Sequence, residues 1–94
     1  MIPAFSDDGW EHFTGWVQNQ RILKKINYLV DDILRNGPLH GKGKPEQLKY
    51  YDVPTYSRRI DEENRLVYEY DENAGLLMIL SCKGHYKDKI LKSS

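Results

Sequence analysis

One cysteine, Cys82, stands alone in 94 residues. A disulfide framework within the chain is therefore excluded, as is any site built from several thiolates. That usage suits a reducing compartment. No apolar run approaches the ~20 residues that would span a bilayer, and the opening MIPAFSDDGWEHF has neither a basic segment nor a continuous apolar one of the kind that directs secretion. The expectation is a soluble, cytoplasmic protein without membrane contact. Net charge is also lacking, because 14 basic residues balance 14 acidic ones. A uniformly basic nucleic-acid binder is thus excluded, although a local charged surface is not. Internal repeats and low-complexity segments are absent.

What is present suits a single small domain. The chain is 39% apolar, 30% charged and 12% aromatic, a globular composition, and a chain of this size buries roughly 60 to 65% of its unfolded surface. The charges are clustered: basic residues gather at Lys42 to Lys44, Lys49, Arg58-Arg59, Arg65 and the final KGHYKDK, and acidic ones at Asp61 to Glu63 and Glu69 to Glu72.

Met1 to Phe5 is short and apolar, and Pro3 limits it to an edge strand or an irregular one. Ser6 caps a helix that Asp7 and Asp8 favour electrostatically, and Trp10, Phe13, Trp16 and Val17 recur on one face to about Asn19. The second helix is the clearest element, because Ile22, Leu23, Ile26, Leu29, Val30, Ile33 and Leu34 keep helical spacing opposite Arg21, Lys24, Lys25, Asp31 and Asp32. Asn36-Gly37-Pro38 stops it. Beyond Leu39 the period changes. Gln47 to Asp52 reads as the beginning of a tyrosine-rich strand, Asp52 to Thr55 as a turn, and Tyr56 to Ile60 and Arg65 to Tyr70 as strands joined by Asp61 to Asn64. After the turn Asp71 to Gly75, the run LLMILSC predicts a central strand buried on both faces. The pattern defines an α+β domain: two N-terminal helices packed on one face of a largely antiparallel sheet of four to five strands.

Three polar groups stand at the ends of these strands: Glu46, Arg65 and His85. Cleaving RNA by internal transfer needs a base for the 2′-hydroxyl, a cation for the charge growing on phosphorus and an acid for the leaving 5′-oxygen. Glu, Arg and His suit those tasks without a metal. Tyr50, Tyr51, Tyr56 and Tyr86 offer stacking platforms, and Lys42, Lys44, Lys49, Arg58 and Arg59 offer contacts to a phosphate backbone. Plainer readings stand beside these: a solvated loop carboxylate at Glu46, a hairpin ion pair between Arg65 and Asp61 to Glu63, an exposed His85, half-buried strand tyrosines and a core Cys82.

The stretches GKGKPEQLKY, YSRRIDEENRLVYEY and CKGHY, taken with the two tryptophans of the first helix and KKIN of the second, resemble the YoeB family of toxins within the RelE/ParE superfamily of toxin–antitoxin systems. The resemblance spans Phe5 to Tyr86. It implies a RelE-like, microbial-ribonuclease-like domain over residues 1–86, followed by a tail, 87–94. The implied activity is that of a ribosome-dependent endoribonuclease cutting mRNA in the ribosomal A site, needing no cofactor. It further implies Glu46 as general base, Arg65 as stabiliser of the transition state, His85 as general acid and Tyr86 as orienter of the scissile phosphate. Lys44, Lys49, Arg58 and Arg59 fall at RNA-binding positions. Partners implied are a YefM-like antitoxin, the ribosome with its mRNA, and a second copy in a homodimer. The alternative within the superfamily is a non-enzymatic ParE-like toxin that binds DNA gyrase. Gln47, Tyr56 and Gly84 depart from the family's usual residues.

Overall fold

The computed structural model describes residues 1–84. The chain runs β1 (Ile2–Phe5), α1 (Asp7–Gly15), α2 (Gln20–Asn36), β2 (Glu46–Gln47), β3 (Thr55–Arg59), β4 (Arg65–Asp71) and β5 (Leu76–Ser81). The five strands form one sheet in the order β1-β5-β4-β3-β2, antiparallel except where β1 lies parallel to β5. This is the α+β arrangement expected, and Pro3 does sit in an edge strand. Among the described residues no helix is long and apolar enough to cross a membrane.

Both helices cover one face of the sheet. Ile22, Ile26, Leu29 and Ile33 of α2 pack against Tyr56 of β3, Leu66 and Tyr68 of β4, and Leu77 and Ile79 of β5. These follow the two periods, 3.6 and 2, that the sequence displays. Cys82 completes this core, and burial pushes its thiol up to about 11, so it remains an apolar filler rather than a nucleophile. The C-terminal end of α2 is as expected, with Gly37 closing the helix at φ 86°, and at its start the Asn19 side chain accepts from the Ile22 N–H.

Three expectations need correction. The run LLMILSC lies between two strands, but only Leu77 and Ile79 of its leucines, isoleucine and methionine are buried, while Leu76, Met78 and Leu80 are half-buried. Among the described residues no second layer of helices or strands covers the other face of the sheet. In α1 the helix stops at Gly15 rather than near Asn19, which leaves Val17 exposed. Trp10 is also exposed and reaches the core through its ring contacts with Phe5 at 5.5 Å and Phe13 at 6.1 Å. Finally, the strand expected over 47–52 is the two-residue β2. One further bond follows it, from the Leu48 N–H to the Thr55 carbonyl, before the chain leaves the ladder and Tyr50 takes φ 70°.

Where α1 meets β5, space is the deciding quantity. The Ser6 hydroxyl caps the helix by accepting from Gly9 N–H and itself donates to the carbonyls of Ile79 and Leu80. A Cβ on Gly9 would overlap the Ile79 carbonyl. Gly9→Ala should therefore destabilise by about 1 to 3 kcal/mol despite alanine's better helix propensity. A urea midpoint equal to or above wild type would contradict this packing.

Candidate active site

Because the helices occupy one face, the side chains that alternate to the other face are left to form a surface. Glu46 pairs with Ser57, Ser57 with Val67, and Arg59 with Arg65. Lys44, Pro45, Glu46, Ser57, Arg59 and Arg65 line one open cleft of about 290 Å³. Of the residues expected to act chemically, Glu46 and Arg65 thus converge, joined by Lys44 and Arg59. Ser57 lines the same cleft and was not anticipated. The signal for it lay in the register, since it sits opposite Glu46.

The electrostatics of the cleft favour an anion. Arg59 and Arg65 are directly opposed across β3 and β4, a placement that costs ~0.2 to 1 kcal/mol unless a negative group lies between them. Arg65 forms no ion pair within 4.0 Å with the described carboxylates of the acidic hairpin. Its Nη1 donates to the main-chain oxygens of Asp61 at 2.7 Å and Asn64 at 3.2 Å. The Asp61 carboxylate instead accepts from the N–H groups of Glu63 and Asn64, both at 2.8 Å. Burial acts to raise the Asp61 pKa, but those bonds and the nearby Arg65 hold it below the usual carboxylate value. Among the described residues the sole ion pair within 4.0 Å lies elsewhere, between Arg58 and Asp32.

That pair corrects the expectation that Arg58 faces RNA. In a strand, adjacent side chains point to opposite faces, so Ser57 and Arg59 reach the cleft and Arg58 cannot. It is fully buried against α2. All five of its N–H donors are used: Nε to the Tyr68 hydroxyl (3.0 Å), Nη1 to Asp32 and to the Lys42 carbonyl (2.9 Å), and Nη2 to the carbonyls of Gly37 (2.8 Å) and His40 (2.7 Å). The Tyr68 hydroxyl donates onward to the Pro38 carbonyl at 2.7 Å. Burial raises the Tyr68 pKa, keeping it a neutral donor. Tyr56, offered as a base-stacking residue, is likewise buried, stacked on Tyr68 at 5.8 Å. Lys49 and Tyr50 are exposed but lie outside the cleft lining.

Asp32 is held from two sides. Its carboxyl lies below the usual value of 3.8, chiefly because the Lys42 N–H donates to it, with Arg58 and Asn36 adding to that and desolvation opposing. A carboxyl depressed in the folded state contributes stability that is fully present above 3.8 and is lost as pH falls through its lower folded value. Unfolding free energies from urea titrations should therefore drop below that pH, and Asp32→Asn should show a shallower drop. Equal slopes would contradict the assignment.

His85 and Tyr86 lie outside the described residues, as does the tail 87–94. The last described residue, Gly84, is hydrogen-bonded to the start of β4: its carbonyl accepts from Arg65 N–H at 3.0 Å and its N–H donates to Asn64 Oδ1 at 2.9 Å. A second cleft of similar size, between Glu11, His12, Trp16 and Lys83, brings together no comparable set. There the His12 Nδ1 accepts from the Cys82 N–H.

Two helices on one face of a five-stranded sheet, with an open cleft on the other, form a fold that is also found in YoeB and in archaeal RelE. The chain belongs to the YoeB-like toxins of bacterial type II toxin–antitoxin systems, whose family profile matches residues 5–86. It is 43% identical over 87 residues to Toxin YoeB of Escherichia coli K12, covering 92% of this chain and all of that one. Among solved structures, the YoeB dimer from Staphylococcus aureus superposes with a TM-score of 0.83 at 45% identity, and the YoeB-YefM complex from the same organism with 0.80 at 46%. Each covers 92% of this chain and 98% of the other.

Proposed function

We propose that this chain is a ribosome-dependent endoribonuclease that cuts mRNA in the ribosomal A site. The observation that carries the reading is the meeting of Glu46 and Arg65, 19 positions apart in sequence, in one cleft with Arg59 and Lys44. Glu46 takes the proton from the 2′-hydroxyl, and the freed oxygen attacks the adjacent phosphorus. Arg65 stabilises the charge that develops on the phosphoryl oxygens. As the bond to the 5′-oxygen breaks, His85 supplies its proton, while Tyr86 orients the phosphate. The product is a cyclic phosphate and a 5′-hydroxyl end.

Lys44, Arg59 and the exposed Lys49 hold the RNA backbone. Arg58 is withdrawn from that set. A YefM-like antitoxin and a second copy of the chain are the proposed partners in a cytoplasmic setting, as the complexes of the Staphylococcus aureus relative suggest. The test is to add the protein to a translating system and map mRNA ends by primer extension. Cuts within A-site codons that vanish in the Glu46→Ala variant support the proposal. Intact mRNA together with blocked DNA supercoiling would replace it with gyrase binding.

A further inference from the structure

We propose that Arg58 is a positioning residue for Glu46, acting through the loop between α2 and β2. This rests on the reading of Glu46 as the base.

Glu46 stands on a stretch of backbone with little regular structure around it. The strand that carries it is two residues long and forms the edge of the sheet, joined to β3 alone. Before it, residues 37 to 45 have no regular structure. Burying a guanidinium is costly, and a packed apolar pair would join α2 to the sheet at least as well. The bonds of Arg58 show a different purpose. Three of its five go to main-chain carbonyls of one segment, those of Gly37, His40 and Lys42. Its ion-pair partner Asp32 accepts from Lys42 N–H at 2.8 Å, gripping that peptide from the other side. The Tyr68 hydroxyl, bonded to Arg58 Nε, takes the Pro38 carbonyl.

The loop is shaped to admit this grip. Gly41, at φ 113°, passes so close to the Asp32 carboxylate that a Cβ would overlap it, and Gly43, at φ 83°, is wedged between Leu29 and the backbone of Arg59. Only Gly43, Lys44 and Pro45 then separate the held Lys42 from Glu46. Little slack remains in them. Gly43 accepts from the Arg59 N–H at 2.6 Å, Lys44 is set at φ 51°, and Pro45 has its own φ fixed. Arg58 and Arg59 are chain neighbours on opposite faces, so one arginine anchors the loop and the next lines the cleft that the loop completes. Loosening the anchor moves Glu46 and Lys44 relative to Arg59 and Arg65.

Two variants of the full chain test this. Arg58→Lys keeps the charge for Asp32 but loses the fork, and Tyr68→Phe removes two bonds, the one accepted from Arg58 Nε and the one donated to the Pro38 carbonyl. Single-turnover mRNA cleavage on saturating ribosomes should fall about 10²-fold in Arg58→Lys, the scale of a ~1 Å misplacement. Ribosome affinity should stay within about threefold, separating positioning from binding. In a Glu46→Ala background Arg58→Lys should cause no further loss, because both changes act through one carboxylate. Amide hydrogen exchange of the toxin alone should quicken at Lys42 and Arg59 while α2 and β4 keep their protection. Losses that multiply with Glu46→Ala, a loss confined to affinity, or unchanged loop exchange would each overturn the proposal. If Arg58→Lys does not fold, Tyr68→Phe decides, with about a tenfold loss expected and a wild-type rate contradicting it. If the wild-type protein cuts no mRNA, the reading of Glu46 fails, and loop exchange still decides whether Arg58 holds the segment.

Discussion

Replacing Glu46 by alanine is expected to slow mRNA cleavage by about 10² to 10⁴-fold, the contribution of one general base. That range corresponds to ~2.7 to 5.5 kcal/mol of transition-state stabilisation. The melting temperature should scarcely move, because Glu46 is exposed on an edge strand, and substitutions at such sites cost within about 0.5 kcal/mol. Glu46→Gln separates charge from size: it preserves the side chain's volume while removing its capacity to take a proton. Cleavage by both variants at near wild-type rates would remove Glu46 from the mechanism. A loss in cleavage accompanied by unfolding would show instead that the residue is structural.

Asp32→Ala should have the largest effect on stability. Arg58 is fully buried and the Asp32 side chain is only 13% exposed, so removing the carboxylate leaves a desolvated guanidinium without its counter-charge. Breaking such a pair from one side costs about 3 to 5 kcal/mol. A domain of this size has a margin of roughly 5 to 10 kcal/mol, so the variant keeps little of it. Replacing both partners, Asp32→Leu with Arg58→Met, should recover part of the loss in denaturant midpoint while leaving the loop unheld. If Asp32→Ala unfolds within about 0.5 kcal/mol of wild type, the pair contributes nothing net to the fold.

The two predictions concern residues that the sequence presents very differently. Glu46 is conspicuous among lysines, whereas Asp32 looks like one of several charges on the outer side of an amphipathic helix. Periodicity was sufficient for α2 because its buried residues, Ile22, Ile26, Leu29 and Ile33, recur at the alternating intervals of four and three that keep them on one face. It was sufficient for β4 as well, where Leu66 and Tyr68 alternate with side chains of the opposite face. The burial of Arg58 was legible in principle, since two adjacent arginines in a strand cannot face the same way. Motif reading overrode that geometry by treating Ser57-Arg58-Arg59 as one basic unit. The length of β2 was not legible, because the strand ends at Gln47 and Tyr50 beyond it takes a left-handed backbone that β-prone residues seldom adopt. The two-sided burial expected of LLMILSC failed for another reason: an apolar run records its own composition and not whether a layer lies opposite. The convergence of Glu46 and Arg65 depended on strand register, which no local pattern specifies.

The parallel pairing of β1 with β5 has a kinetic side. Ile2 lies opposite Leu76, and the Ser6 cap of α1 bonds to the carbonyls of Ile79 and Leu80. The first element of the chain is thus completed by the last strand described. Contacts of such wide sequence separation incur loop-closure entropy before they return any stabilisation, which slows folding. A nascent chain can form the α2 helix and the β3–β4 hairpin, and with them much of the cleft, while its N-terminus still waits for a partner. The sheet closes only after β5 has been synthesised, because β5 is the strand that joins β1 to β4.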